Sequence, residues 1–185
     1  DLEYLPFPNL AEIFLFRNIG ANRWENIVRS IFNIYSSFYL NKQSQIFIHD
    51  AKHLYSEKLK LRIKSLNNII ENLNNKLLLD IKNSGIKVNN YNLPSLNKTI
   101  KNIQNKLKDI EKQRPLFFGH GDLCFNNILI EPISGSIKLI DPKAEYIGEN
   151  NVGFVDPYYD LAKLNHSFSC FYDSIAVSYT HLRAH

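Results

Sequence analysis

The sequence predicts a mostly helical α+β fold carrying one small β-hairpin. Apolar residues recur every three or four positions along three long stretches, which is the period of an amphipathic helix. Two short apolar runs, Ile128-Leu129-Ile130 and Ile137-Lys138-Leu139-Ile140, flank a turn and read as paired strands. With 185 residues and 44% hydrophobic content, the chain fits one globular domain with a sizeable core, expected over residues 1–177.

The elements follow in order. Leu2 to Leu10 reads as an extended segment passing into a proline-bounded loop at Pro6 and Pro8. Asn22 to Leu40 sets Trp24, Ile27, Val28, Ile31, Phe32, Tyr35 and Phe38 on one helical stripe. Leu59, Ile63, Leu66, Ile70, Leu73 and Leu77 predict a second amphipathic helix. Gly85 to Pro94 reads as a polar, Asn-rich loop. Ser95 can cap the next helix, whose expected buried face is Leu96, Ile100, Ile103, Leu107 and Ile110. These stripes are expected to be core. The Asn-rich helices could equally form an inserted hairpin that contacts a substrate. Ser178 to His185 breaks the periodicity and is expected to be a non-native tail, outside the fold. His181 and His185 would need a third ligand to hold a metal.

Composition narrows the function. Two cysteines, Cys124 and Cys170, form no disulfide framework, so a reducing cytoplasm is expected. No apolar run reaches membrane-span length. The net charge of +4 divides unevenly: residues 41–114 carry +9 and the remainder −5. The basic middle reads as solvated helix surface, so no nucleic-acid partner is expected. The acidic remainder suits a cleft for a metal ion and a cationic or hydroxyl-rich ligand.

That remainder holds the residues with chemistry. Phe117-Phe118-Gly119-His120-Gly121-Asp122 leads into Asn127, and Asn127 opens the first strand of the hairpin. The second strand ends at Asp141. A hairpin brings its ends together, so Asn127 and Asp141 should meet at the open end, with Asp122 on the adjoining loop. Two oxygen donors there suit a magnesium ion that keeps its waters and shares phosphate oxygens. A carboxylate beside them can accept the proton of an attacking hydroxyl, and phosphoryl transfer needs that set. Taken singly, the same residues would serve as a turn Asp, a strand-edge Asn and a helix-capping Asp.

The His120-Gly121-Asp122 loop, Asn127 and the Leu139-Ile140-Asp141 strand end resemble the aminoglycoside phosphotransferase and choline kinase superfamily. Asp156-Pro157-Tyr158-Tyr159-Asp160-Leu161-Ala162 is similar to that superfamily's helix start. The resemblance implies the C-terminal lobe of a protein-kinase-like fold with a small catalytic β-hairpin. It implies ATP and Mg²⁺ as cofactors and a small-molecule hydroxyl as phosphate acceptor: an aminoglycoside, choline, a sugar or a cell-surface polysaccharide precursor. Asp122 would be the base, Asn127 and Asp141 the metal ligands, Asp160 the residue that orients the loop, and His120 a loop-structuring residue. Glu3, Tyr4 and Leu5 would form a hinge that holds adenine. The N-terminal lobe would then lie outside this chain, and the fragment alone should be inactive. The alternative is a catalytically silent kinase-like lobe that serves as a binding module. A protein-kinase lobe is disfavoured by Gly121, which stands where such kinases carry Arg, and by Asp141-Pro142 in place of Asp-Phe-Gly.

Overall fold

The computed structural model describes residues 4–40, 45–48, 52–112, 114–143, 153–170, 172, 173 and 175. It is mostly helical with small antiparallel pairings, as the periodicities predict. Glu3 and the 178–185 segment, including His181 and His185, lie outside the described residues. The chain divides into two compact units: residues 1–46 with 115–185, and the continuous stretch 47–114.

The first unit begins with α1 (Leu10–Phe16), capped by Asn9, whose Oδ1 accepts the Glu12 N–H at 2.9 Å. Helix α2 (Ala21–Leu40) buries Ile27 and Ile31 and half-buries Trp24 and Tyr35. A short strand, β1 (Gln45–Ile48), follows. After the second unit the chain returns as β4 (Arg114–Phe118), a 3₁₀ turn (Phe125–Asn127), and the hairpin β5 (Ile128–Ile130) and β6 (Ile137–Leu139). The register pairs Ile128 with Leu139 and Ile130 with Ile137. Its turn closes through the Gly135 N–H to the Glu131 carbonyl at 2.9 Å, with Gly135 at φ 73°. Strand β7 (Phe154–Val155) pairs antiparallel with β4, and α6 (Pro157–Ser169) ends the fold. Asp156 caps α6 by accepting the Tyr158 N–H at 2.9 Å, and Pro157 occupies the first turn, where no N–H is needed. The core gathers Leu10, Ile13, Ile27, Ile31, Phe125, Ile128 and Leu164. An aromatic chain runs through it: Trp24 meets Phe14 edge-on at 5.8 Å, Phe14 meets Phe125 at 5.6 Å, and Phe125 meets Phe168 at 4.7 Å.

The second unit departs from the sequence expectation in three places. The helix expected from Leu59 through Leu77 is two, α3 (Ser56–Leu73) and α4 (Lys76–Asn83). Asn74 turns left-handed at φ 42°, and the Asn75 side chain accepts the Leu77 and Leu78 N–H groups at 2.9 and 3.3 Å, so a new helix starts. The expected loop 85–94 is a hairpin, β2 (Ile86–Val88) and β3 (Tyr91–Leu93), turning at Asn89 with φ 54°. Helix α5 (Leu96–Ile110) is capped by Ser95, which accepts the Lys98 N–H at 3.3 Å. Its apolar face is only half-covered, with no residue of α5 buried. Glu111, just past α5, takes the Ser56 N–H at 2.7 Å and so caps α3, whose own Tyr55 supplies no side-chain cap. Among the described residues no helix is long and apolar enough to cross a membrane.

Candidate functional site

The segment from His120 to Asn127 is fixed by buried polar groups on α6. Asp160 is fully buried. Its Oδ2 accepts the His120 N–H at 3.0 Å and the Tyr39 hydroxyl at 2.7 Å, and its Oδ1 accepts the Leu123 N–H at 3.4 Å. Hydrogen bonds to a carboxylate are about twice as strong as neutral ones, so one side chain can hold two points of the loop. Burial, reinforced by the Asp160 charge, pushes the Tyr39 hydroxyl far above its ordinary pKa, so it remains a donor at all working pH values. The far half of the loop is held separately. Ser167 Oγ accepts the Phe125 N–H at 3.1 Å, and Asp173 Oδ1 accepts the Asn126 side-chain amide at 2.8 Å. Asp173 is itself buried, and burial raises its carboxyl pKa, with the Ser167 hydroxyl partly offsetting the shift.

His120 joins this loop to the end of β6. The Asp122 N–H donates to its Nδ1 at 3.2 Å, which leaves Nε2 to donate to the Ile140 carbonyl at 2.9 Å. The ring is therefore the neutral Nε2–H tautomer, committed on both sides to backbone. The Lys143 N–H returns to the His120 carbonyl at 2.8 Å. Gly121 sits between these strands at φ 77°, and a Cβ there would collide with the Lys143 carbonyl oxygen. The position thus demands glycine for backbone reasons, which sequence inspection attributed only to an absent Arg.

The hairpin draws its ends together. The Ile140 N–H donates to the Asn127 carbonyl at 3.1 Å, which sets Asp141 one residue beyond the pairing. Asp141 has φ 54°, a left-handed conformation that Asp tolerates better than most residues and that often marks a functional position. The Asn127 amide nitrogen donates to the Asp122 carbonyl at 2.9 Å, so its amide oxygen remains available as a ligand. Among the described residues no three His, Cys, Asp or Glu side chains form a metal cluster. Magnesium held against phosphates requires only one or two protein donors, and an amide oxygen with a carboxylate is a suitable hard set. Tyr4, in the segment expected to form a hinge, is exposed, and Pro8 and Asn9 run beside β5: the Ile130 N–H donates to the Pro8 carbonyl at 3.1 Å.

The structure adds two residues that sequence reasoning missed. Lys163 Nζ lies 2.7 Å from Asp122 Oδ1, and Lys143 Nζ lies 3.9 Å from Oδ2. The surplus of acidic residues suggested an acidic cleft, but at Asp122 two ammonium groups face the carboxylate. The Lys163 contact is a close ion pair. Burial works against the Lys163 ammonium, yet the contact with Asp122 and its charge outweigh burial and hold the pKa above the usual lysine value. The available signal was spacing: Lys163 follows Asp160 by three residues and shares its helix face. Cys124, also on the loop, is buried with its thiol pKa raised, first by burial and then by Asp122, so it is a packing group. No family model, curated protein or solved structure matches the chain.

Proposed function

We propose that this chain is the C-terminal lobe of an ATP-dependent small-molecule kinase of the aminoglycoside phosphotransferase and choline kinase type. The carrying observation is that one hairpin and one loop, tied through His120, set Asp122, Asn127 and Asp141 within a single backbone network. Asp122 orients an acceptor hydroxyl and takes its proton. Asn127 and Asp141 would hold Mg²⁺, which supplies charge neutralisation at the nucleotide phosphates. Asp160 and His120 position the loop. Glu3, Tyr4 and Leu5 would meet the adenine, and a further lobe would complete the nucleotide cradle. The acceptor is a hydroxyl-bearing small molecule met in the cytoplasm.

A silent lobe that only binds a partner draws support from one observation, the neutralisation of Asp122 by Lys163 and Lys143. The two readings part on mutation. In the full-length protein, Asp122→Ala should lower turnover of Mg-ATP, with choline, an aminoglycoside or water as acceptor, by at least about a hundredfold while Mg-ATP binding holds. Asp141→Ala should damage binding and turnover together. Loss of neither on substitution would leave only the silent lobe.

A further inference from the structure

An ammonium resting on a catalytic carboxylate is an obstacle unless something draws it away. Lys163 Nζ sits 2.7 Å from Asp122 Oδ1, against a carboxylate side chain only 20% exposed. A base so paired has part of its proton-accepting face covered. The pairing is a close ion pair, and a phosphoryl oxygen carries the charge to compete for the same ammonium. Lys163 lies three residues beyond Asp160 on α6, one turn along the same helix face. Its ammonium also lies over an aromatic ring, with Nζ 5.9 Å from the Tyr159 centroid.

We propose that Lys163 is a second catalytic residue, the cation that binds the phosphoryl group in transit, and that its contact with Asp122 is the resting state of that site. The inference rests on the kinase reading above. When nucleotide enters, the equatorial oxygens of the γ-phosphoryl compete for Lys163 and uncover Asp122 as they do so. The acceptor oxygen then bonds to the γ-phosphorus, and the bond from that phosphorus to the β-phosphate's bridging oxygen breaks. The hydroxyl proton passes to Asp122, and ADP departs with the bonding pair. Lys163 keeps all its protons and balances charge spread over the transferring group. The site is therefore self-locking: the carboxylate is freed only where a phosphoryl is present to receive the hydroxyl.

The probe is Mg-ADP with and without aluminium tetrafluoride, a planar mimic of the transferring phosphoryl. Its binding is measured by titration calorimetry on the full-length protein. The parent should bind Mg-ADP more tightly with fluoroaluminate present. Lys163→Met, which keeps the packed stem, should lose at least about tenfold of that gain while Mg-ADP alone stays within about twofold. Lys163→Arg should restore most of it, because a guanidinium also binds phosphoryl oxygens. If Lys163→Met binds the fluoroaluminate complex as the parent does, the role assigned to Lys163 is wrong and the kinase reading stands. If Lys163→Arg fails as badly as Lys163→Met, shape rather than charge matters and the proposal is overturned. If the parent binds no Mg-ADP at all, the kinase reading falls and takes this inference with it.

Discussion

Helices α2 and α5 both repeat apolar residues every three or four positions, yet they end in different environments. Ile27 and Ile31 of α2 are 4% and 2% exposed, whereas Ile103 and Ile110 of α5 are 41% and 38% exposed. The two units hold themselves together differently. The first unit weaves an aromatic core and a buried carboxylate network around one loop. Residues 47–114 rely on caps, a two-residue turn and a few buried side chains, chiefly Leu54 and Ile70. Burial and satisfied polar groups scale with local stability, so the loop region should resist perturbation less gracefully and the second unit should absorb it.

Five substitutions would break or sharpen that contrast. Phe125→Ala removes a fully buried ring contacted by Phe14 and Phe168, and should cost about 3–5 kcal/mol. Trp24, the chain's sole tryptophan, joins the same aromatic chain, so its fluorescence during urea unfolding reads this loss directly. Asp160→Ala orphans two backbone N–H groups and the Tyr39 hydroxyl, and should cost about 3 kcal/mol by the same measurement. A cost below about 1 kcal/mol would mean that the network does not secure the loop. Tyr39→Phe removes one hydrogen bond to a buried charge and should cost about 1.5–2 kcal/mol.

Ile103→Ala, on the open face of α5, should cost less than about 1 kcal/mol and leave the Trp24 transition in place. Should it move that transition as far as Phe125→Ala does, the two units unfold as one and the contrast fails. The smallest effect is a slope. Burial holds the Asp173 carboxyl above the aspartate range, so the folded chain keeps a proton that the unfolded chain has lost. The contribution of Asp173 to stability therefore falls as pH rises from about 4 through the folded value. Asp173→Asn can still accept from Asn126 but has no proton to lose. Its stability relative to the parent should improve between pH 4 and 7, read as midpoints at both values. Parallel pH profiles would show that Asp173 titrates as it does unfolded.

How much of this was written legibly in the chain differs by the range of the interaction. The 128–140 hairpin, the Ser95 cap and the α6 start are local patterns, and each forms where its residues predict. The doublets Asn74-Asn75 and Asn89-Asn90 were equally local signals, of a helix break and a tight turn, hidden by a general polar composition. Lys163 was legible only as a residue on the helix face of Asp160; its pairing with Asp122 depends on how a loop folds back across forty residues of sequence. The exposure of α5 was not legible: periodicity reports which face is apolar and says nothing about whether another element covers it.

The first unit is split in the sequence, and this matters before the protein is finished. Leu10, Ile13, Ile27 and Ile31 leave the ribosome before their core partners Phe125, Ile128 and Leu164, which come only after all of residues 47–114. At about 5–20 residues per second, making that stretch alone takes roughly 3–14 s. Throughout that interval, α1 and α2 lack the later residues of their core cluster. The second unit is continuous and can fold on emergence. The unit with the larger buried core is thus the later one to complete, and its apolar residues stay exposed to misassociation for as long as that interval lasts.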